Sequence, residues 1–170
     1  MTKPQKNVPA HAVASRRIAS PVGPLVLYAS DKGLAGLFFG HRVPIDAKRP
    51  RDQKENLHLN QATTQLGEYF SGTREQFDLT LDPKGTDFQE SVWLALREIP
   101  YGQTLHYGGI AESIGNPKSV RAVGGANGAN PISIIVPCHR VIGADGSMTG
   151  FGGGLDIKRN LLVHEGIILI

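Results

Sequence analysis

Cys138 sits in Pro137-Cys138-His139-Arg140 and is the sole cysteine of a 170-residue chain. One cysteine makes neither an internal disulfide nor a multi-cysteine zinc site, which excludes a disulfide-stapled secreted scaffold. What remains is an inert buried thiol or a reactive one. A thiol attacks as thiolate, and a free pKa of about 8.5 leaves a few per cent ionised at neutral pH. A neighbouring base or positive charge lowers that pKa, and both are adjacent here. Consecutive residues in a regular strand point to opposite faces. His139 therefore serves Cys138 directly only if the chain turns there, and otherwise through a water; Pro137 allows the departure from a regular strand. A histidine acting as base also wants an acid on its other nitrogen, and Glu165, between His164 and Gly166, is a candidate. On local physics alone, a lone cysteine in an apolar run is more often a packed core residue.

The elements that must position these residues form two groups. Residues 1–12 lack periodicity and are expected to be a flexible tail. Leu25 to Ala29 and Leu34 to Phe39 have strand character around Asp31-Lys32-Gly33, and residues 40–56 have loop character. Leu59, Ala62, Leu66 and Tyr69 recur at helical spacing with Gly72 just beyond. Phe77 to Leu81 is expected to return as a strand. Residues 13–82 thus make a small α/β unit, and Asp82-Pro83-Lys84-Gly85 is the expected boundary. Residues 86–170 are mostly helical. Thr86 and Gln89 form a capping box before a helix that turns Phe88, Val92, Ala95 and Ile99 one way and stops at Pro100. A second helix is expected from Thr104 to Gly115, and a third from Pro117 to about Asn127. This pair fits a helix-turn-helix, whose second helix meets DNA, and equally an αα-hairpin without a DNA role. Residues 132–143 read as a β-rich apolar run interrupted by Pro137. Asp156 is expected to cap a last helix with Ile157, Leu161 and Leu162 inward.

Charge and composition narrow the class. The chain is 40% apolar with a net charge of +3, enough for a folded core. Residues 1–85 hold twelve Lys and Arg against eight Asp and Glu, and residues 86–170 six against seven. Net basicity belongs to the first half and is weak evidence for nucleic acid. Between Ser113 and Ala144 there are no acids, but there are Lys118, Arg121 and Arg140, a locally positive strip. Thirteen of the 21 glycines fall between residues 101 and 154, which points to close approach against the main chain; a loop-rich small domain is the alternative. No spacing satisfies the dinucleotide or P-loop patterns. No apolar run reaches the roughly 20 residues of a membrane span, and the N-terminus has no signal-peptide core. A soluble cytoplasmic protein without membrane partners is expected.

From "TDFQESVW" through "NPKSVRAVGG", "IIVPCHRVIG" and "TGFGGG" to "HEG", residues 86–166 resemble the O6-alkylguanine-DNA alkyltransferases, or methylated-DNA–protein-cysteine methyltransferases. "SPVGPLVLYASDKGLAGLFF" is similar to the family's weaker N-terminal pattern. The resemblance implies an α+β fold: a small RNase H-like α/β domain, then a mostly helical domain with a winged-helix-like helix-turn-helix. It implies single-turnover, irreversible transfer of a methyl or small alkyl group from O6 of guanine, less so O4 of thymine, in double-stranded DNA after base flipping. Cys138 matches the acceptor, His139 the residue that activates it through a water, and Glu165 the acid polarising that histidine. Arg121 matches the finger entering the base stack, with Lys118 and Ser119 as further DNA contacts. Tyr107 matches a tyrosine that helps rotate the phosphate and bonds the extruded base. Asn130 matches a hinge between the DNA-binding helices and the active-site turn. The carbonyls of Cys138 and Val141 and the amide of Gly152 match groups reading the guanine edge, beside Phe151. The implied protein is a monomer in solution, with cooperative binding to DNA left open.

Physics agrees with these roles. Extruding the base costs a few kcal/mol, and an inserted side chain offsets part of it. Each residue alone has an ordinary reading: Arg121 an exposed helix arginine, Tyr107 a half-buried core tyrosine, His139 a satisfied core histidine, Asn130 an Asn-Pro turn. Arg140 reads better as an ion-pair partner than as a catalyst. Phe151 stands where some relatives have tyrosine, so a hydroxyl is lost from the pocket wall. Some relatives bind zinc in the N-terminal domain; that half here has no cysteine, and His11, His41 and His58 show no ligand spacing. No metal or cofactor is expected. The alternatives are a non-catalytic alkyl-lesion binder or helix-turn-helix regulator of the same fold, and a cysteine hydrolase.

Overall fold

The computed structural model describes residues 8–43 and 48–167. The chain divides between Lys84 and Gly85 into two compact units.

The first unit is built on a three-stranded antiparallel sheet in the order β1 (Ala14–Ile18), β2 (Leu25–Ala29), β3 (Leu34–Phe39). Every residue of β2 and β3 is buried, and both match their sequence-predicted bounds. The intervening turn is held by the Ser30 hydroxyl, which accepts from Lys32 N (3.1 Å) and Gly33 N (3.3 Å). β1 has no counterpart in the sequence reading. Its Ala-Ser-Arg-Arg-Ile lacks an apolar alternation, yet Arg16 reaches Asp52 (3.0 Å) and Asn60 (2.8 Å). Helix α1 (Leu57–Phe70) starts on Asn56, whose side chain accepts from Leu59 N, and buries Leu59, Ala62, Leu66 and Tyr69. A good cap of this kind is worth about 1 kcal/mol. Two expectations change. Phe77 to Leu81 is not a strand: only Leu81 bridges β3, at Leu34. Residues 8–12, read as tail, are tied down: Val8 and Ala12 pack against Val26, Tyr28 and Phe38, and His11 Nε2 bonds Asp82 O at 2.8 Å. Residues 1–7 and 44–47 lie outside the described residues.

The second unit opens with α2 (Asp87–Arg97), whose capping box between Thr86 and Gln89 is formed in both directions. Its buried face is Val92, Trp93 and Leu96, continued by Ile99; Phe88 and Ala95, expected inside, are half-buried. Trp93 Nε1 donates to Ala126 O (2.9 Å) and pins α2 to α4. The next helix begins at Tyr107 rather than Thr104. Leu105 and His106 form β4 instead, paired in parallel with β5 (Val141–Ile142), and α3 is Tyr107–Ser113. Helix α4 is Val120–Gly128. Pro117 is outside it, because Asn116–Ser119 closes as a turn (Ser119 N to Asn116 O, 3.0 Å). α2, α3 and α4 pack together, with α3 and α4 as the helix-turn-helix pair.

The expected strand over 132–137 is absent. The segment is a series of turns, with Ile135 N donating to Ser133 O (2.8 Å) and Val136 N to Ile132 O (3.0 Å). Ile134 has φ 72°, a left-handed conformation costing a β-branched residue about 1–2 kcal/mol. Cys138–Arg140 is one 3-10 turn before β5. Helix α5 (Leu155–His164) starts on Gly154, with φ 100°; Asp156 lies in its first turn rather than capping it. Lys158, not Ile157, joins Leu161 and Leu162 on the buried face.

Candidate active site

Asn130, just past the end of α4, organises the loop that leads to the cysteine. Its Nδ2 donates to Val136 O (2.8 Å) and its Oδ1 accepts from Ile132 N (3.0 Å). Val136 O also accepts from Cys138 N (2.8 Å). Side-chain amide bonds thus replace the ladder that a strand would have made.

Cys138 is buried, 4% exposed. Burial pushes its thiol pKa up, opposed by hydrogen bonds from Asn130 and Ser133 and by the positive charge of Lys158. The resting side chain is therefore the neutral thiol, and nucleophilic attack needs a base. His139 follows it in the turn and is fully buried. Its Nε2 lies 2.7 Å from Glu165 Oε2. Arg140 grips the same carboxylate, Nε to Oε1 at 2.7 Å and Nη2 to Oε2 at 3.1 Å, and sends Nη1 to Ile99 O at 2.7 Å. An ionised carboxylate only accepts, so Nε2 carries the imidazole proton and Nδ1 presents a lone pair. That Nδ1 is buried with no hydrogen-bond partner. Burial lowers the His139 pKa, against the pull of Glu165, so the ring is neutral near pH 7.

Cys138, His139, Glu165 and Asn130 are brought together as the sequence reading grouped them. The objection from strand geometry disappears, because residues 138–140 turn. Val141 continues from the turn into β5, its carbonyl accepting from Lys158 Nζ at 2.6 Å. Tyr107, at the start of α3, meets the Thr149 hydroxyl. Phe151 is buried and Gly152 half-buried in the loop before α5. Lys118, Val120 and Arg121 are exposed around the start of α4; Ser119 is half-buried, its hydroxyl donating to Asn116 O (2.6 Å). The positive strip loses one member: Arg140 is 6% exposed and paired with Glu165, leaving Lys118 and Arg121.

Sequence reasoning passed over Lys158, Ser133 and Thr149. For Lys158 a signal existed, since it falls one turn before Leu161 and Leu162 on the core-facing stripe. The other two contacts depend on loop conformation. Among the described residues, no three His, Cys, Asp or Glu side chains group so as to hold a metal ion, and no helix is long and apolar enough to cross a membrane.

The same division appears on comparison with known proteins. Residues 15–83 match the ribonuclease-like domain of 6-O-methylguanine DNA methyltransferase and residues 87–167 its DNA binding domain. A methylated-DNA–protein-cysteine methyltransferase of Methanosarcina barkeri is 55% identical over 152 residues, 87% of this chain and 94% of the relative. One of Mycobacterium tuberculosis is 50% identical over 150 residues, 88% and 90% of the two chains. The crystal structure of Mycobacterium tuberculosis OGT in complex with DNA superposes with a TM-score of 0.83 at 49% identity, covering 91% of this chain and 93% of that one. With both family domains matched in order along the described fold, this chain belongs to the 6-O-methylguanine DNA methyltransferase family.

Proposed function

We propose that this protein repairs alkylated DNA by moving a methyl or small alkyl group from O6 of guanine, and less readily O4 of thymine, onto Cys138. The observation that carries the reading is the buried chain Cys138, His139, Glu165, Arg140, in a protein about half identical to named methylated-DNA–protein-cysteine methyltransferases. The neutral thiol gives its proton through one water to the bare Nδ1 of His139, and Glu165 stabilises the imidazolium that forms. The thiolate sulfur then bonds the alkyl carbon as the carbon–O6 bond breaks. The electron pair leaves on the guanine, which takes up a proton. The thioether has no route back, so each molecule acts once.

The reacting carbon lies within the stacked duplex, so the base has to be extruded at a few kcal/mol. Arg121, exposed on α4 with no acid nearby in sequence, fills the vacated place and offsets part of that cost. Lys118 and Ser119 hold the backbone beside it. Tyr107 shares a proton with the leaving base. The carbonyls of Cys138 and Val141 and the amide of Gly152 read the guanine edge, with Phe151 as an apolar wall. Asn130 ties α4 to the thiol turn, so the helix on DNA and the acceptor are mechanically one piece.

An oligonucleotide carrying labelled O6-methylguanine tests this directly. One equivalent of label should move to the protein and none to Cys138→Ser. Turnover beyond one equivalent, or no transfer, refutes the reading.

A further inference from the structure

Two hydroxyls meet at the edge of the site, one from α3 and one from the loop before α5. Tyr107 Oη lies 2.5 Å from Thr149 Oγ1, and among the described residues neither hydroxyl has another hydrogen-bond partner. Both side chains are seated by other contacts. Tyr107 opens α3, and its ring lies along Gly124 of α4, where an added Cβ would stand 3.9 Å from it. Gly124 falls three residues after Arg121 and so shares its face of the helix. Thr149 is held from inside, its carbonyl accepting from Lys158 Nζ at 3.4 Å. What remains free between the two is the direction of their hydroxyl hydrogens.

Two hydroxyls in contact place one hydrogen between them, and the other points away. If Tyr107 donates, its proton is spent on Thr149 and none is left for a base. If Thr149 donates, the phenol keeps its own O–H for a second partner while its oxygen accepts. A hydroxyl that accepts becomes the stronger donor, because chained hydrogen bonds polarise one another. Threonine suits this task, since its β-branched side chain has few rotamers and its hydroxyl a narrow choice of directions.

We propose that Thr149 is a positioning residue for Tyr107: its hydroxyl donates to the phenol oxygen, turns the phenol O–H toward the extruded base, and holds the negative charge that reaches that oxygen as the base leaves. The inference rests on Cys138 being the alkyl acceptor and Tyr107 the donor to the base. The carbon–O6 bond breaks with its electron pair on the guanine, and the phenol proton moves to the base. The Thr149 hydrogen stays on threonine and bonds the phenolate. Solvent returns a proton to the phenol, and His139 gives up the one it took from the thiol. The sum is thiol plus alkylguanine to thioether plus guanine.

Single-turnover transfer from duplex O6-methylguanine at saturating protein tests this, with affinity for unmodified duplex and a melting curve taken on each variant. Thr149→Val keeps the shape and removes the hydroxyl. It should slow transfer about tenfold, the size of a bond to an oxygen that gains charge, and leave duplex affinity within about twofold. Thr149→Ser should restore most of the rate. In a Tyr107→Phe background the same Val change should cost less than about twofold, since its partner is gone. Free O6-benzylguanine is then compared with O6-benzyl-8-azaguanine, whose extra ring nitrogen makes the leaving anion more stable. The Val variant should lose less on the aza compound, where less charge needs support; a merely structural role would slow both donors alike. Thr149→Val at the wild-type rate overturns the proposal. A faster Val variant does so too, because threonine would then be drawing the phenol away from the base. Equal losses on the two donors, or a full loss in Tyr107→Phe, also overturn it. If the Val variant does not fold, Thr149→Ala is read in its place. Each of these failures leaves the alkyl-acceptor reading standing while the wild type takes one equivalent on Cys138. A wild type inert to O6-methylguanine DNA would sink that reading and this inference with it.

Discussion

Replacing Glu165 by Gln separates the structural and chemical work of the buried carboxylate. The Glu165 side chain has no exposed surface and accepts from His139, twice from Arg140, and weakly from Gly102 N at 3.4 Å. Gln fits the same volume but removes the charge and turns an amide donor toward groups that donate. Arg140, 6% exposed, then becomes a buried cation without its anion. Breaking a buried pair from one side costs about 3–5 kcal/mol, a large share of the roughly 5–15 kcal/mol that holds a protein folded. At about 2–4 °C per kcal/mol for a chain of this size, the melting temperature should fall by about 6–20 °C. Thermal and denaturant unfolding read this number. The second step is Glu165→Gln with Arg140→Met, which removes the stranded cation. Loss of the Arg140 bond to Ile99 O costs about 1–3 kcal/mol, yet the double variant should regain a substantial part of the lost stability, because paired removal of buried ions is often neutral. Alkyl transfer should stay down by at least about 100-fold in both variants, since a positioned base contributes about 10²–10⁴ and His139 has lost its anion. Three results would refute the reasoning: a single variant within about 1 kcal/mol of wild type, a double variant no more stable than the single, or recovered alkyl transfer in the double variant.

Other perturbations read other parts of the molecule. Arg121→Ala should slow repair of O6-methylguanine in duplex at least about tenfold and leave reaction with free O6-benzylguanine within about twofold, since its proposed role is to offset extrusion alone; equal losses on both would remove it as a finger. His139 is held neutral by burial, its pKa below the usual 6.5. As pH falls through about 6.5 the unfolded chain binds a proton that the folded one resists, so stability drops on the acid side. In His139→Asn that part of the pH slope should vanish in urea titrations between about pH 5 and 7; an unchanged slope would contradict it. Gly85→Ala places a Cβ 2.4 Å from the Trp93 ring, whose indole is anchored to Ala126 O. The variant should lose about 1–3 kcal/mol with a changed tryptophan emission, and a wild-type melting curve would refute the clash.

Where local pattern and final structure agree, the reason is that one segment's own periodicity meets a single demand. Leu59, Ala62, Leu66 and Tyr69 lie on one stripe of α1 and are the residues α1 buries. β2 and β3 pair across a tight turn, and Thr86 and Gln89 cap α2 through bonds spanning three residues. Cys138, His139 and Glu165 could be grouped by their chemistry, with family resemblance adding the roles. Phe77 to Leu81 misled because an apolar run does not specify a partner strand, and here only Leu81 finds one. β1 was invisible because its Arg16 is held by Asp52 and Asn60, more than thirty residues away.

The amino-acid sequence alone determined the single thiol, its neighbouring base, the capping box of α2 and the two-unit layout, all of which rest on residue type and short-range spacing. Tertiary structure decided the rest. It made residues 132–137 a set of turns instead of a strand, since the Asn130 side chain takes the backbone bonds a ladder would have taken. It paired Arg140 with Glu165 and so withdrew a charge from the exposed strip. It placed Lys158 inside, where its ammonium meets carbonyls from two segments. These outcomes depend on which groups are desolvated together, and desolvation is a property of the packed chain.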